Sequence, residues 1–153
     1  MSLKLQNVIA ASTQNAADEL IKAFLNLPED KRDWSPDDKA RTPINQMAEC
    51  AILNGSTAEL IKSKIWPETG YQAYMSEMKR VSESWPTLEE LLLKNTARLI
   101  ATIKEVPDSE LEVPIDMPWG AKATHEIIMY PHWNMSYHLG QINYIASILG
   151  VLK

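Results

Sequence analysis

The sequence has a single cysteine, Cys50, so no disulfide can close within the chain. That fits a reducing compartment. Long apolar runs are missing as well. None approaches the ~18 residues that a membrane-spanning helix needs, and the first residues, Met1-Ser2-Leu3-Lys4-Leu5-Gln6, lack the apolar centre of a secretion signal. The expectation is a cytoplasmic protein with no membrane partner. Basic residues are outnumbered: 15 Lys and Arg face 20 Asp and Glu, for a net charge of −5 and a pI near 5.2. No basic cluster interrupts this balance. Neutralising phosphates requires a basic surface, so no nucleic-acid partner is expected. A glycine-rich phosphate loop, a Gly-x-Ser-x-Gly elbow and a Cys-x-x-Cys pair are all absent. The tryptophans are scattered over loops and helix ends, which suits anchoring and not a stacking platform for single strands. No internal repeat or low-complexity tract is visible.

What is present is an ordinary globular composition. The chain has 153 residues, 45% hydrophobic and 23% charged, enough to bury a core as one domain over 1–153. Four long helical patterns organise it. The first spans about residues 3–26, where Leu5, Val8, Ile9, Ser12, Ala16, Leu20, Ala23, Phe24 and Leu27 form a stripe ended by Pro28. The second opens at Thr42-Pro43, with Thr42 as N-cap and Pro43 where a missing N–H is harmless, and runs to about Ile65. Between them lies a polar connection with one aromatic anchor, Trp34. A shorter helix is expected over about residues 71–84. The third long helix is predicted to open at Thr87, with Glu90 completing a capping box, and to end near Glu105 before Pro107. Residues 111–120 carry two prolines and read as an extended turn or small hairpin. The last helix begins near Thr124 and ends at Gly150, with Pro131 inside it as a kink or as its true start. This pattern predicts an all-α four-helix bundle. The connection of about 20 residues between helices two and three leaves room for a crossover.

The most informative stretch is Trp133-Asn134-Met135-Ser136-Tyr137-His138-Leu139-Gly140-Gln141. Asn134, His138 and Gln141 fall at i, i+4 and i+7 and share one helical face. Unpaired polar groups cost roughly 1–3 kcal/mol each when buried, so an inward polar face needs partners. It is either a site or a hydrogen-bonded core network. Asn-x-x-x-His is a weaker form of the His-x-x-x-His ligand pair, and an amide oxygen suits harder cations better than Zn²⁺ or Ni²⁺. On helix two, Glu49 lies one residue off the stripe of Met47, Ala48, Ala51 and Ile52. It either meets the polar face of helix four or sits at the rim in water. Asn54 is a weaker polar candidate on the same helix. His125 and His132 read as structural or solvated. Cys50 adjoins Glu49, which disfavours a thiolate.

Together these features resemble the DinB-like superfamily, also called the YfiT-like metal-dependent hydrolases. The resemblance covers nearly the whole chain. It rests on Asp33-Trp34-Ser35-Pro36, Arg41-Thr42-Pro43, Pro118-Trp119-Gly120 and, most sharply, His138-Leu139-Gly140-Gln141-Ile142. It implies a four-helix bundle with a long crossover, often dimeric. The implied metal site has one histidine on helix two and a His-x-x-x-His pair on helix four. His138 matches the second of that pair, Asn134 stands where the first would be, and Glu49 stands at about the helix-two position. Glu49, Asn134 and His138 are therefore the candidate metal ligands, with Gln141 and Asn54 in support. The implied cofactor is a divalent metal (Ni, Zn or Mn), and both a change and a loss of that metal accord with these departures. One functional expectation is a metal-dependent hydrolase or thiol-dependent transferase acting on a small molecule. The other is a non-catalytic, homodimeric binding or stress-response protein that has lost the metal.

Overall fold

The computed structural model describes residues 3–153. Five helices account for most of it: α1 (Leu5–Leu25), α2 (Pro43–Ser63), α3 (Tyr71–Ser82), α4 (Trp85–Glu105) and α5 (Thr124–Ile148). A two-stranded antiparallel hairpin, β1 (Pro114–Ile115) and β2 (Lys122–Ala123), precedes α5. No helix among the described residues is long and apolar enough to cross a membrane.

Helices α1, α2, α4 and α5 form the bundle. Each packs on two others: α2 on α4 and α5, and α1 on α4 and α5. Their directions follow from which residues meet. Phe24 at the end of α1 contacts Trp85 at the start of α4, with ring centroids 4.3 Å apart, so these two helices are antiparallel. Gln46 early in α2 meets His138 late in α5, and Lys64 just past α2 reaches Thr124 at the start of α5. That pair is antiparallel too. Helices α2 and α4 instead run the same way, because Ala51 meets Asn95, Asn54 meets Thr96 and Glu59 pairs with Arg98. Parallel neighbours cannot be joined by a tight turn, so the chain must return to the starting end. The segment carrying α3, which packs on both α2 and α4, makes that return. This is the crossover between the second and third long helices.

Local chemistry sets the boundaries. The Thr42 side chain accepts from the Asn45 backbone N–H, as its position before Pro43 requires. The third long helix departs from expectation. It opens at Trp85, two residues before Thr87, and Thr87 is already inside its first turn. Pro86 at the second helical position loses no bond there, and packing of Trp85 on Phe24 draws the helix start outward. At the α5 start, Glu126 accepts the Ala123 N–H at 2.9 Å. Helix α5 continues through buried Pro131, which leaves the Ile127 carbonyl without its usual donor. Gly150 adopts a left-handed φ of 70° just beyond the helix, a conformation glycine takes without strain.

The core has two clusters. One holds Leu20, Phe24, Met47, Leu88, Leu92, Met135 and Ile142. The other holds Ile9, Ile61, Leu99, Ile103, Ile115 and Ile128. The α1 stripe is rotated from the expected one at its start. Gln6, Ile9, Ala10 and Thr13 point inward, whereas Leu5 and Val8 are exposed. Gln6 is held inside because its amide donates to the Val106 carbonyl and to Asp108, both at 2.8 Å.

Candidate functional site

Antiparallel packing of α2 on α5 brings Glu49 opposite Asn134 and His138, near the middle of the bundle. Asn134 and His138 are buried, and the Glu49 side chain keeps 20% of its surface in solvent. Asn134 donates its Nδ2–H to Glu49 Oε1 at 2.9 Å. His138 Nε2 lies 3.1 Å from the same oxygen. The other carboxylate oxygen, Oε2, is taken by the guanidinium of Arg41.

The second ring nitrogen is equally committed. His138 Nδ1 lies 2.7 Å from Gln141 Oε1 and 3.2 Å from Gln46 Oε1. Gln46 is fixed in that orientation because its Nε2 donates to the Arg41 carbonyl. The imidazole is thus ringed by oxygen atoms of Glu49, Gln141 and Gln46. Burial opposes ionisation of Glu49, but hydrogen bonds from His138, Asn134 and Arg41, together with the Arg41 charge, outweigh it and hold the carboxyl at about 2. The same charge reaches its surroundings. Burial and then Glu49 raise the phenol pKa values of Tyr74 on α3 and Tyr130 on α5. Cys50, fully buried beside Glu49, is pushed well above the usual thiol range by burial and then by the carboxylate, which removes it as a nucleophile.

Glu49, Asn134, His138 and Gln141 therefore meet in one place. Asn54 does not join them. Its Nδ2 donates to Thr96 at 2.9 Å, tying α2 to α4, and its Oδ1 finds no partner among the described residues. His125 bonds the Leu111 carbonyl at 2.9 Å and pins the start of α5 to the preceding turn, and His132 takes no part in the network. Arg41 and Gln46 complete the site without having been marked as candidates in the sequence. Gln46 had a signal, lying one turn before Glu49 on α2. Arg41 lies before the helix, where no periodicity assigns a direction to a long side chain.

The donor set, as arranged, does not suit a divalent cation. Both oxygens of Glu49 already accept from side-chain N–H donors, and the positive guanidinium of Arg41 on Oε2 repels a cation brought to the same carboxylate. Asn134 turns its nitrogen to the carboxylate and its oxygen toward Cys50, at 3.5 Å. No group of three or more His, Cys, Asp or Glu gathers to hold a metal ion among the described residues.

The fold is a four-helix bundle with a crossover between its second and third long helices. The sequence matches the family profile of the DinB superfamily over residues 12–142, and the chain belongs to that superfamily. Solved structures of similar fold include an uncharacterised protein from Clostridium difficile 630, 15% identical, with 97% of this chain and 99% of that one covered and a TM-score of 0.73. A conserved protein from Enterococcus faecalis is 13% identical over 97% and 99% of the two chains, with a TM-score of 0.75. A DinB-like protein from Bacillus subtilis is 13% identical over 93% and 92%, with a TM-score of 0.68. No curated protein matches the sequence.

Proposed function

We propose that this chain is a non-catalytic binding member of the DinB superfamily, in which an Arg41–Glu49–Asn134–His138 network takes the place of a metal centre. One observation carries the reading: both oxygens of Glu49 are taken by side-chain N–H donors, one of them a guanidinium. A metal-dependent hydrolase or thiol-dependent transferase needs an open coordination position on its cation. Here Arg41 would have to leave and Asn134 would have to turn before Glu49 could coordinate. The network instead locks α2 to α5 with charge-assisted hydrogen bonds.

The chain works as a homodimer in this reading. Tyr130, Trp133, Tyr137, Tyr144 and Ile148 are exposed along α5 at spacings that keep them on one face. Tyr130, Trp133 and Tyr137 stack on one another, with centroids 5.5 and 5.4 Å apart. A monomer seldom leaves so continuous an apolar stripe in water. The experiment that tests the metal-free reading is titration of chelator-stripped protein with Ni²⁺, Zn²⁺ and Mn²⁺. Absence of a saturable site is expected, and a stoichiometric site that depends on His138 would overturn it.

A further inference from the structure

A second feature of the α2–α5 face lies one turn beyond the network. Leu53, one turn after Glu49, and Tyr130, one turn before Asn134, open onto a cavity of about 530 Å³. Its walls are Leu53 and Leu60 of α2 and Ile127 and Tyr130 of α5. Two connectors each add a tryptophan to the lining. Trp66 arrives from the segment after α2, and Trp119 from the hairpin tip beside Gly120, whose φ of 113° lets the chain turn there. Their rings meet edge to face with centroids 4.8 Å apart. Trp119 remains 64% exposed, so this contact does not serve to bury it.

The charges around the cavity are informative. Lys122 and Glu126 are the charged lining residues, and they pair with each other at 3.3 Å. Glu126 also accepts the Ala123 N–H. Neither is free to neutralise a charged ligand. The Ser56 hydroxyl is committed to the Leu53 carbonyl at 3.1 Å. The hydroxyls of Thr57 and Tyr130 remain as uncharged polar handles.

We infer that this cavity is a binding site for a neutral, planar aromatic small molecule carrying one or two hydrogen-bonding groups. The volume falls within the range of small-molecule sites, ~300–1,000 Å³, and the mix of apolar walls with few polar groups is their usual make-up. Two edge-to-face tryptophans present ring faces and edges on which a further ring stacks favourably. A charged ligand would lose its hydration without gaining a free counter-charge. This inference rests on the binding reading given above. Its failure leaves the metal-free network standing, because metal uptake tests that separately.

The test uses the full chain and the neutral fluorophore N-phenyl-1-naphthylamine. Its emission should rise saturably at one probe per chain. Trp119→Ala, which removes an exposed loop ring without touching the core, should weaken binding by about tenfold or more, the equivalent of ~1.4 kcal/mol. Ser56→Trp, which fills the cavity from an exposed helical position, should abolish it. Tyr71→Ala, which deletes an exposed ring on α3 outside the cavity, should leave affinity unchanged. The anionic analogue 8-anilinonaphthalene-1-sulfonate should bind at least about tenfold more weakly than the neutral probe. Non-saturable binding, indifference to Trp119→Ala and Ser56→Trp, or an equal loss with Tyr71→Ala would overturn the site. Tighter binding of the anion would overturn the ligand class.

Discussion

Glu49 is the residue on which the site turns, and its energetics have a definite sign. Its carboxyl is held at about 2 in the folded chain against a reference value of 4.5. A depressed carboxyl contributes stability that is complete above the unfolded value and is lost as pH falls through the folded one. The window is therefore about 4.5 down to about 2. A shift of that size corresponds to roughly 3 kcal/mol. Glu49→Gln should lower the unfolding free energy at pH 7 by about 2–3 kcal/mol, since it also leaves His138 and Arg41 facing a neutral amide. It should flatten the decline of stability across the acid window as well. Urea unfolding at several pH values checks this, and a variant as stable as the parent at pH 7 would refute the assignment. The sequence made four of these residues legible, because Asn134, His138 and Gln141 repeat at helical spacing and Glu49 lies one residue off an apolar stripe. It did not reveal that a guanidinium occupies the carboxylate. A side chain launched from a loop has no periodicity to read.

Helices are where the sequence was most legible and where one local detail reverses a general rule. Four amphipathic stripes and their proline and glycine stops located α1, α2, α4 and α5, and a hairpin does stand before α5. The errors have tertiary causes. The capping-box pattern at Thr87 yielded to Trp85 packing on Phe24, and Leu5 and Val8 yielded their inward places to Gln6 and Thr13. The tryptophans were expected at loops and helix ends, yet Trp133 lies in the middle of α5 and stacks with two tyrosines. Gly55 illustrates the same override. In a helix interior, Gly→Ala ordinarily gains up to about 1 kcal/mol. Here a Cβ would stand 2.6 Å from Asn95 Nδ2 and 2.8 Å from its Cγ. That amide is not free to move, since it donates to the Ala51 carbonyl at 2.8 Å and ties α4 to α2. Gly55→Ala should therefore destabilise the fold by about 1–3 kcal/mol. Adding Asn95→Ala should recover much of the loss. Thermal melts of the single and double variants decide it, and a Gly55→Ala protein with a raised Tm would show that α2 and α4 are not so closely apposed.

At the scale of the whole molecule, the bundle sets parallel α2 beside parallel α4 and so requires the long return through α3. The connector length in the sequence signalled that requirement, although nothing in it showed which helices would be neighbours. The surface of α5 carries the proposed dimer. Trp133→Glu with Tyr137→Glu would place two carboxylates in the stripe and should convert the protein to a monomer with unchanged helicity, read by light scattering and circular dichroism. A parent chain already monomeric at micromolar concentration would contradict the dimer. In the proposed reading, hydrogen bonds take the place of a metal at the centre of this fold. Calorimetric titration of the chelator-stripped chain with Ni²⁺, Zn²⁺ and Mn²⁺ tests it most directly, with Glu49→His/Asn134→His as a control that rebuilds the three-histidine pattern. No saturable heat is expected for the parent chain, and one new site in the control. Saturable binding of one cation per parent chain, lost on His138→Ala, would contradict it.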